Sequence, residues 1–236
     1  MNQEQGNLYF KDGEFMVKGF MKKHGLKLIV PLYMIFYLAS FHWLEQRQTY
    51  GFHEIYSSFD STIPFCEVFI IPYVLWFFYI AATVIWFMFK NDDRKEYMQL
   101  ILSLGIGMTL FLFISWVYPN IHFLRPEAFP RENIFTDWVR MLYSVDTPTN
   151  ILPSIHVYNS VAAWIAISRC KALKKHRFVV SGSFVLTVLI VLSTMFLKQH
   201  TVVDVISAFI LNFTVYMFVY RLADNRVPVT RNEFEY

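Results

Sequence analysis

The sequence predicts an all-α fold, a polytopic membrane protein built as a six-transmembrane-helix bundle with its functional site at the outer face. Hydrophobic residues occupy 56% of the 236 positions and charged residues only 17%, whereas a typical soluble domain carries about 25% charge. The apolar residues also form six runs that are long enough, as helices, to cross about 30 Å of hydrocarbon. These runs cover residues 27–44, 66–89, 98–118, 153–168, 178–197 and 203–220.

The distribution of Lys and Arg predicts how this bundle is oriented. Of the 21 basic residues, all but five fall on one side of the six-span arrangement. The five on the other side are Arg47, Arg125, Arg131, Arg140 and Lys198. Because cytoplasmic loops carry the excess of Lys and Arg, both termini are expected in the cytoplasm. We therefore expect an integral, multi-pass protein of the plasma membrane.

The predicted organisation has three parts. Residues 1–26 form a cytoplasmic arm that is either an interfacial helix or a solvated charged segment, residues 27–221 form the transmembrane domain, and residues 222–236 form a cytoplasmic tail. The net charge of +3 requires no nucleic-acid partner, because the basic clusters are short, lie beside the membrane and suit anionic lipid head groups. Membrane lipids are the expected partners.

A short polar stretch from Lys198 to Asp204 separates the fifth and sixth runs. If a helix begins after Thr201, His200 lies at its entrance and Asp204 lies one turn further on the same face. The Asp204 carboxylate could then hold one imidazole nitrogen and leave the other free as a nucleophile or general base. Alternatively, Thr201 and Asp204 simply cap the helix.

Two more polar segments lie at the ends of runs. Arg125, followed by Pro126, offers a fork-shaped cation suited to phosphate oxygens, although an arginine there also suits a lipid-facing anchor. Pro153 and Ser154 open the fourth run, where the first-turn N–H groups and the Ser154 hydroxyl favour an anion. His156 follows inside the membrane, either as a packing residue or facing a cavity or polar partner, since a polar side chain is costly there.

The alternating path of the six spans sends Arg125, His156 and His200 to the outer face. Three remote segments thus offer a cation, an imidazole and a His–Asp pair at similar depth, which favours a shared site over three coincidences. The outer loop 119–152 has apolar residues at helical spacing over 134–142, which predicts a helix that either lies on the membrane surface or roofs a cavity. Cys66 and Cys170 fall at opposite faces and predict neither a disulfide nor a metal site.

These segments resemble the three signature motifs of the type-2 phosphatidic acid phosphatase superfamily, which is related to the vanadium haloperoxidases. The motifs are Arg125-Pro126, Pro153-Ser154-Ile155-His156 and Ser193 through His200 to Asp204. The family has a lysine where this chain has Tyr118 and an arginine where it has Thr194, so two phosphate-binding cations are missing. Lys198 and Gln199 are candidates to replace them in part. A similar loss occurs in the inositol phosphorylceramide synthase and sphingomyelin synthase branch.

The resemblance implies a mechanism that needs no metal and no cofactor. His200 would attack phosphorus and form a phosphohistidine, and Asp204 would orient it. His156 would protonate the departing oxygen and later activate the incoming water or alcohol. The phosphate-binding residues would be Arg125, Ser154 and Lys198.

Three functions are compatible with these residues. The first is a lipid phosphatase that hydrolyses a lipid phosphate ester at the outer leaflet. The second is a phosphotransferase that passes a phospho-head group from a phospholipid to an alcohol, which the missing cations favour because a phosphodiester carries less charge. The third is a non-catalytic lipid-binding or transport protein, although the sequence has no internal repeat typical of transporters.

Overall fold

The structure is a computed structural model that describes residues 27–47 and 51–222. The chain divides into a unit of residues 1–40 and a unit of residues 41–236. The predictions for the arm at 1–26 and for the tail beyond residue 222 lie outside the described residues. The α-helices of the described part are α1 (Lys27–Gln46), α2 (Ile70–Phe89), α3 (Arg94–Val117), α4 (Ile134–Val145), α5 (Ile155–Arg169), α6 (Arg177–Phe196) and α7 (Val202–Tyr216).

Short elements join these helices. Strands β1 (His53–Glu54) and β2 (Asn120–Ile121) pair in parallel. Two single-turn 3₁₀ helices, Ser58–Ser61 and Glu67–Phe69, precede α2, and a π-helical turn, Met217–Leu222, continues α7. The described chain is therefore mostly helical, as the sequence predicts.

Five helical segments of the described chain are long and apolar enough to cross a membrane. They are Lys27–Gln46, Glu67–Phe89, Arg94–Val117, Arg177–Phe196 and Val202–Arg221. The fourth predicted run corresponds to α5, which has only 15 residues and spans about 22 Å at 1.5 Å per residue. The predicted count of six spans is thus not confirmed, because α5 is too short to qualify by length alone.

Helix α5 lies among protein neighbours. It contacts α2, α3, α6 and α7, and its polar residues Asn159 and Ser160 are buried. Gly107 of α3 allows a close approach, since a Cβ atom there would collide with the ring of Tyr158. The Tyr158 hydroxyl then donates a hydrogen bond of 2.7 Å to the carbonyl of Ser103 on α3. The buried hydroxyl of Tyr158 is therefore satisfied by a protein contact rather than by water.

At the end of the bundle where α5 and α7 begin, buried polar contacts fix the loops. The fully buried Asn120 accepts the backbone N–H groups of Ile151 and Leu152 through Oδ1, at 2.8 and 3.0 Å. Its backbone carbonyl accepts the N–H of Asn150 at 2.8 Å. The Asn150 side chain donates in turn to Glu45, near the end of α1, at 2.7 Å. The loop after α3 and the loop before α5 are consequently held together.

Helix α4 covers the ends of α2 and α6. The side chain of Val139 is fully buried in a cluster with Ile70, Tyr73 and Leu197. The Tyr143 hydroxyl donates a hydrogen bond of 2.6 Å to the backbone carbonyl of Leu197. The predicted helix in this loop is confirmed, and both of these contacts attach it to the ends of α2 and α6.

Candidate active site

His200 and Asp204 lie at the start of α7, and both interpretations of this stretch describe the structure. The Thr201 side chain accepts the backbone N–H of Asp204 at 3.2 Å, and Asp204 Oδ2 accepts the N–H of Thr201 at 2.8 Å, which is a capping box. The same Oδ2 atom lies 3.4 Å from His200 Nδ1. Asp204 is fully buried, so one carboxylate both begins the helix and faces the imidazole.

The second histidine approaches from α5. His156 Nδ1 lies 3.4 Å from His200 Nε2, which is long for a hydrogen bond, and both side chains are buried. One arrangement of protons satisfies every close contact: His200 carries its proton on Nδ1 towards Asp204, and His156 carries its proton on Nδ1 towards the lone pair of His200 Nε2. Asp204, His200 and His156 therefore form a continuous series of contacts, in which His200 Nε2 is unprotonated.

Two aromatic residues of α2 hold the ring of His156. Its centroid lies 4.6 Å from that of Tyr73 and 4.3 Å from that of Trp76. Neither residue is predicted from the sequence to belong to the site. They are three positions apart and so share one helix face, but nothing in the sequence indicates that this face meets α5.

Ser154 connects α5 to α7. It is the N-cap of α5, with its hydroxyl oxygen 3.4 Å from the N–H of Val157, and its own backbone N–H donates to the carbonyl of Asp204 at 3.2 Å. The side chain is fully buried. The hydroxyl hydrogen and the first-turn amides of α5 therefore lie beside the histidine pair, at the positive end of the helix.

Arg125 is held by a network of acceptors. Its guanidinium donates to the carbonyl oxygens of Tyr143, at 3.3 Å, and of Asp146, at 2.6 Å, and to the side-chain oxygen of Gln199. Burial lowers the pKa of Arg125, although Asp146 opposes that shift. Arg125 Nε is buried and has no hydrogen-bond partner among the described residues, so one N–H remains for a ligand.

Asp146 links this network to the histidine pair. Its Oδ2 atom accepts the Tyr73 hydroxyl at 2.6 Å and the amide of Gln199 at 3.3 Å. Tyr73 is the residue whose ring lies against His156, and Gln199 directly precedes His200. The cation and the two imidazoles are thus positioned by the same set of contacts, of which Asp146 was not predicted from the sequence.

Lys198, which is predicted from the sequence to bind phosphate, has two backbone partners. Its ammonium group donates to the carbonyls of Asp60, at 2.8 Å, and Ile63, at 2.5 Å. Its backbone has a φ of 53°, so it forms a left-handed turn between α6 and α7. Asp60 also accepts the N–H of Val202 at 2.8 Å. Lys198 therefore fastens the loop before α2 to the start of α7.

Tyr118 and Thr194 stand where the family has a lysine and an arginine, and both side chains have structural contacts. Tyr118 stacks on His53, with the ring centroids 4.1 Å apart and the planes within 7°. Thr194 is fully buried and donates its hydroxyl to the carbonyl of Val191 in its own helix, at 2.8 Å. Among the described residues, no group of three or more His, Cys, Asp or Glu side chains has the arrangement of a metal site.

The helices and the site together define a mostly helical membrane protein with a buried His–His–Asp cluster at one end of its bundle. The model of the PAP2 superfamily matches residues 96–228, more than half of the chain. The chain belongs to the PAP2 superfamily, whose members are phosphatases or phosphotransferases, so the predicted resemblance is confirmed. No curated protein and no solved structure matches the chain. The match begins within α3, so Tyr73 and Trp76 lie outside it.

Proposed function

We propose that the protein is a membrane lipid phosphatase that hydrolyses a lipid phosphate ester through a phosphohistidine at His200. The observation that carries this proposal is the line from Asp204 through His200 to His156, with both contacts at 3.4 Å. It gives His200 an orienting carboxylate on one nitrogen and a proton donor beside the other. Those are the requirements of an activated histidine nucleophile.

In the first step, the lone pair of His200 Nε2 forms a bond to phosphorus as the ester P–O bond breaks. His156, which takes up a second proton when the negatively charged phosphate binds beside it, gives its Nδ1 proton to the departing lipid alkoxide and is left as neutral imidazole. Asp204 stabilises the positive charge that develops on His200. In the second step, His156 accepts a proton from water, the resulting hydroxide attacks phosphorus, and the N–P bond breaks. Inorganic phosphate leaves, and the proton arrangement of the site is restored.

The phosphoryl group has to displace the contact between the two rings. A phosphorus atom ready for attack lies about 3–3.5 Å from the nucleophile, which is the distance that now separates the two ring nitrogens. The rings therefore separate when substrate binds. Because Tyr73 and Trp76 enclose His156, we expect a small sliding motion between these two residues.

Charge on the phosphoryl oxygens is stabilised by Arg125, by the Ser154 hydroxyl and by the first-turn amides of α5. The open Nε–H of Arg125 is the strongest of these donors because it carries charge. Lys198 does not contact the phosphoryl group in this proposal; it positions the start of α7 by binding the loop before α2.

A turnover assay tests the proposal. The purified protein in detergent is given a mixture of lipid phosphate monoesters, and phosphate release is measured for the wild type and for His200→Ala and His156→Ala. The matched control is His176→Ala, since His176 is an exposed histidine at the other end of α6. We expect release by the wild type and by the control alone. Lipid binding without release by the wild type would instead indicate a non-catalytic binding protein.

One observation favours a phosphotransferase as the second candidate. Tyr118 and Thr194 leave the site with fewer cations than the family pattern, which suits a singly charged phosphodiester. The same active site would then pass the phospho-head group to an alcohol, as in the inositol phosphorylceramide synthase and sphingomyelin synthase branch. Mass spectrometry of lipid extracts incubated with the protein and candidate alcohols separates the two activities, because transfer yields a new phosphodiester and hydrolysis yields free phosphate.

The membrane arrangement belongs to the same proposal. We place the site at the outer face of the plasma membrane, both termini in the cytoplasm and α5 as a short sixth crossing enclosed by its neighbours. The basic connections at 90–95 and 169–177 support this orientation, since they lie at the opposite end of the bundle from His200. Labelling of single cysteines by a membrane-impermeant reagent in whole cells tests it, with reaction expected at position 127 and none at position 175.

A further inference from the structure

A third histidine, His122, belongs to the same end of the bundle and was not singled out from the sequence. It directly follows β2, only 1% of its surface is exposed, and its backbone N–H donates to the carbonyl of Pro148 at 3.2 Å. The strand pair and the Asn120 contacts hold this segment in place. His122 is thus a buried polar side chain on a fixed piece of backbone, three residues before Arg125.

The contacts of the ring determine where its proton lies. His122 Nδ1 accepts the backbone N–H of Leu124 at 3.1 Å, so Nδ1 carries the lone pair and the neutral ring carries its proton on Nε2. His122 Nε2 is buried and has no hydrogen-bond partner among the described residues. A buried N–H donor without an acceptor is costly, and such an atom calls for an explanation.

The surroundings of the ring keep it neutral. Burial lowers the pKa of His122 to about 3, and the positive charge of Arg125 acts in the same direction, while the backbone carbonyl of Gln199 opposes this shift. His122 is therefore an uncharged donor throughout the range in which an enzyme works. Hydrogen bonds join its segment to the candidate site: the His122 N–H donates to the carbonyl of Pro148, two residues after Asp146, and Arg125, three residues after His122, donates to Asp146 and Gln199.

We propose that His122 is a catalytic residue, whose Nε2–H donates a hydrogen bond to a non-bridging oxygen of the phosphoryl group held between His200 and Arg125. The inference rests on the proposed function and deepens it by assigning a donor for the phosphate. Two buried N–H groups lack an acceptor in this region, Arg125 Nε and His122 Nε2, and a phosphoryl group with several oxygens satisfies both. A neutral donor there compensates in part for the absent cations at Tyr118 and Thr194.

Two substitutions separate this role from a structural one. His122→Asn retains an oxygen near the position of Nδ1, which can accept the Leu124 N–H, but lacks a donor at the position of Nε2. His122→Gln places an amide donor close to that position. We expect His122→Asn to lower kcat/KM by about 10²–10³-fold, as for other donors to a developing oxyanion, and His122→Gln to recover most of that loss. Thermal unfolding in detergent should show both variants folded.

Binding of orthovanadate, an analogue of the phosphoryl group, provides a readout that does not need turnover. We expect tight binding by the wild type and by His122→Gln, and at least tenfold weaker binding by His122→Asn. Unchanged kcat/KM and unchanged vanadate affinity in a folded His122→Asn variant would overturn the inference and leave the proposed function standing. A wild type that neither turns over lipid phosphates nor binds vanadate would overturn both.

Discussion

The two ends of the helix bundle use similar residues in opposite ways. At the end with the basic connections, Lys171 donates to Asp93 at 2.7 Å, and this hydrogen bond lowers the pKa of Asp93 and raises that of Lys171. At the end with the histidines, burial is the main cause of the lowered pKa values of His122 and Arg125. Charged groups at the first end are stabilised by partners, and those at the second end are destabilised by their surroundings.

This contrast indicates where the chemistry lies. The Lys171 side chain is 75% exposed, and ion pairs at the surface contribute little to stability. At the other end, Asp204 Oδ1, His122 Nε2 and Arg125 Nε are buried without a hydrogen-bond partner among the described residues, and His200 Nδ1 has only its 3.4 Å contact with Asp204. A buried polar atom without a partner destabilises the folded state, so its presence calls for an explanation. Buried titratable groups with perturbed pKa values are typical of functional sites.

The largest expected effect is at His200. His200→Ala removes the proposed nucleophile, and the loss of a nucleophile in other enzymes lowers kcat by about 10⁴–10⁶-fold. His176→Ala, at the end with the basic connections, should retain wild-type kcat. Initial rates of phosphate release measure both. An equal loss of kcat in His200→Ala and His176→Ala would contradict the assignment of the active site to the histidine end of the bundle.

Arg125→Lys is expected to have the next largest effect. An ammonium group cannot reproduce the planar set of bonds to the Tyr143 and Asp146 carbonyls and to Gln199 while keeping a donor for phosphate. We expect kcat/KM to fall by about 10²–10³-fold. Lys171→Ala is the control, because its ion pair is exposed, and it should leave kcat/KM unchanged. A fully active Arg125→Lys variant would show that a positive charge alone is enough for activity and that the hydrogen bonds to Tyr143, Asp146 and Gln199 are not required.

Tyr73→Phe tests the coupling between the network and the histidine pair. The change keeps the ring that lies against His156 but removes the hydroxyl that donates to Asp146. We expect a stability loss of about 1 kcal/mol and a fall in kcat on the order of tenfold, since small shifts of a positioned group are costly. Chemical unfolding and initial rates measure these. Wild-type kcat together with the stability loss would make the hydroxyl purely structural.

The smallest expected effect is the acid dependence of stability. His122 takes a proton near pH 6.5 in the unfolded chain but only near pH 3 when folded, so the unfolded state binds more protons between these values. Stability should therefore fall by about 1 kcal/mol for each pH unit below 6.5 because of this group. His122→Asn lacks this contribution, and unfolding at pH 6.5 and 5.5 should show a smaller difference than in the wild type. An unaltered difference would place His122 in a more solvated position.

Much of this molecule follows from the sequence because local patterns determine it. Five of the six predicted apolar runs correspond to helices that are long and apolar enough to cross a membrane, and the capping pattern of Thr201 and Asp204 predicts the start of α7. The pairing of His156 with His200 follows from alternation of the spans, since each lies at the beginning of a helix on the same side. The sequence also predicts the helix at 134–142 but not whether it roofs the bundle.

What the sequence does not indicate depends on contacts between distant segments. In the sequence, nothing distinguishes Tyr73 and Trp76 from the other aromatic residues of this apolar helix. Only the packing of α2 against α5 shows that they contact His156. In the sequence, Lys198 is a plausible phosphate-binding residue because it lies close to His200. In the structure, its ammonium group donates to two carbonyl oxygens of the loop that follows β1. The fourth run is already short in the sequence, with 16 residues at 153–168 against the 15 residues of α5. The burial of its polar residues among α2, α3, α6 and α7 depends on contacts that the sequence does not show.

The central claim is that His200 forms a covalent bond to phosphorus, and trapping that species tests it most directly. The wild type is mixed with a lipid phosphate labelled in its phosphoryl group, quenched with alkali within the first turnover, digested, and analysed for labelled peptides. The account predicts label that survives alkali, is lost in acid and maps to His200, with none in His200→Ala. Steady phosphate release without a labelled peptide, or label that persists in His200→Ala, would contradict it.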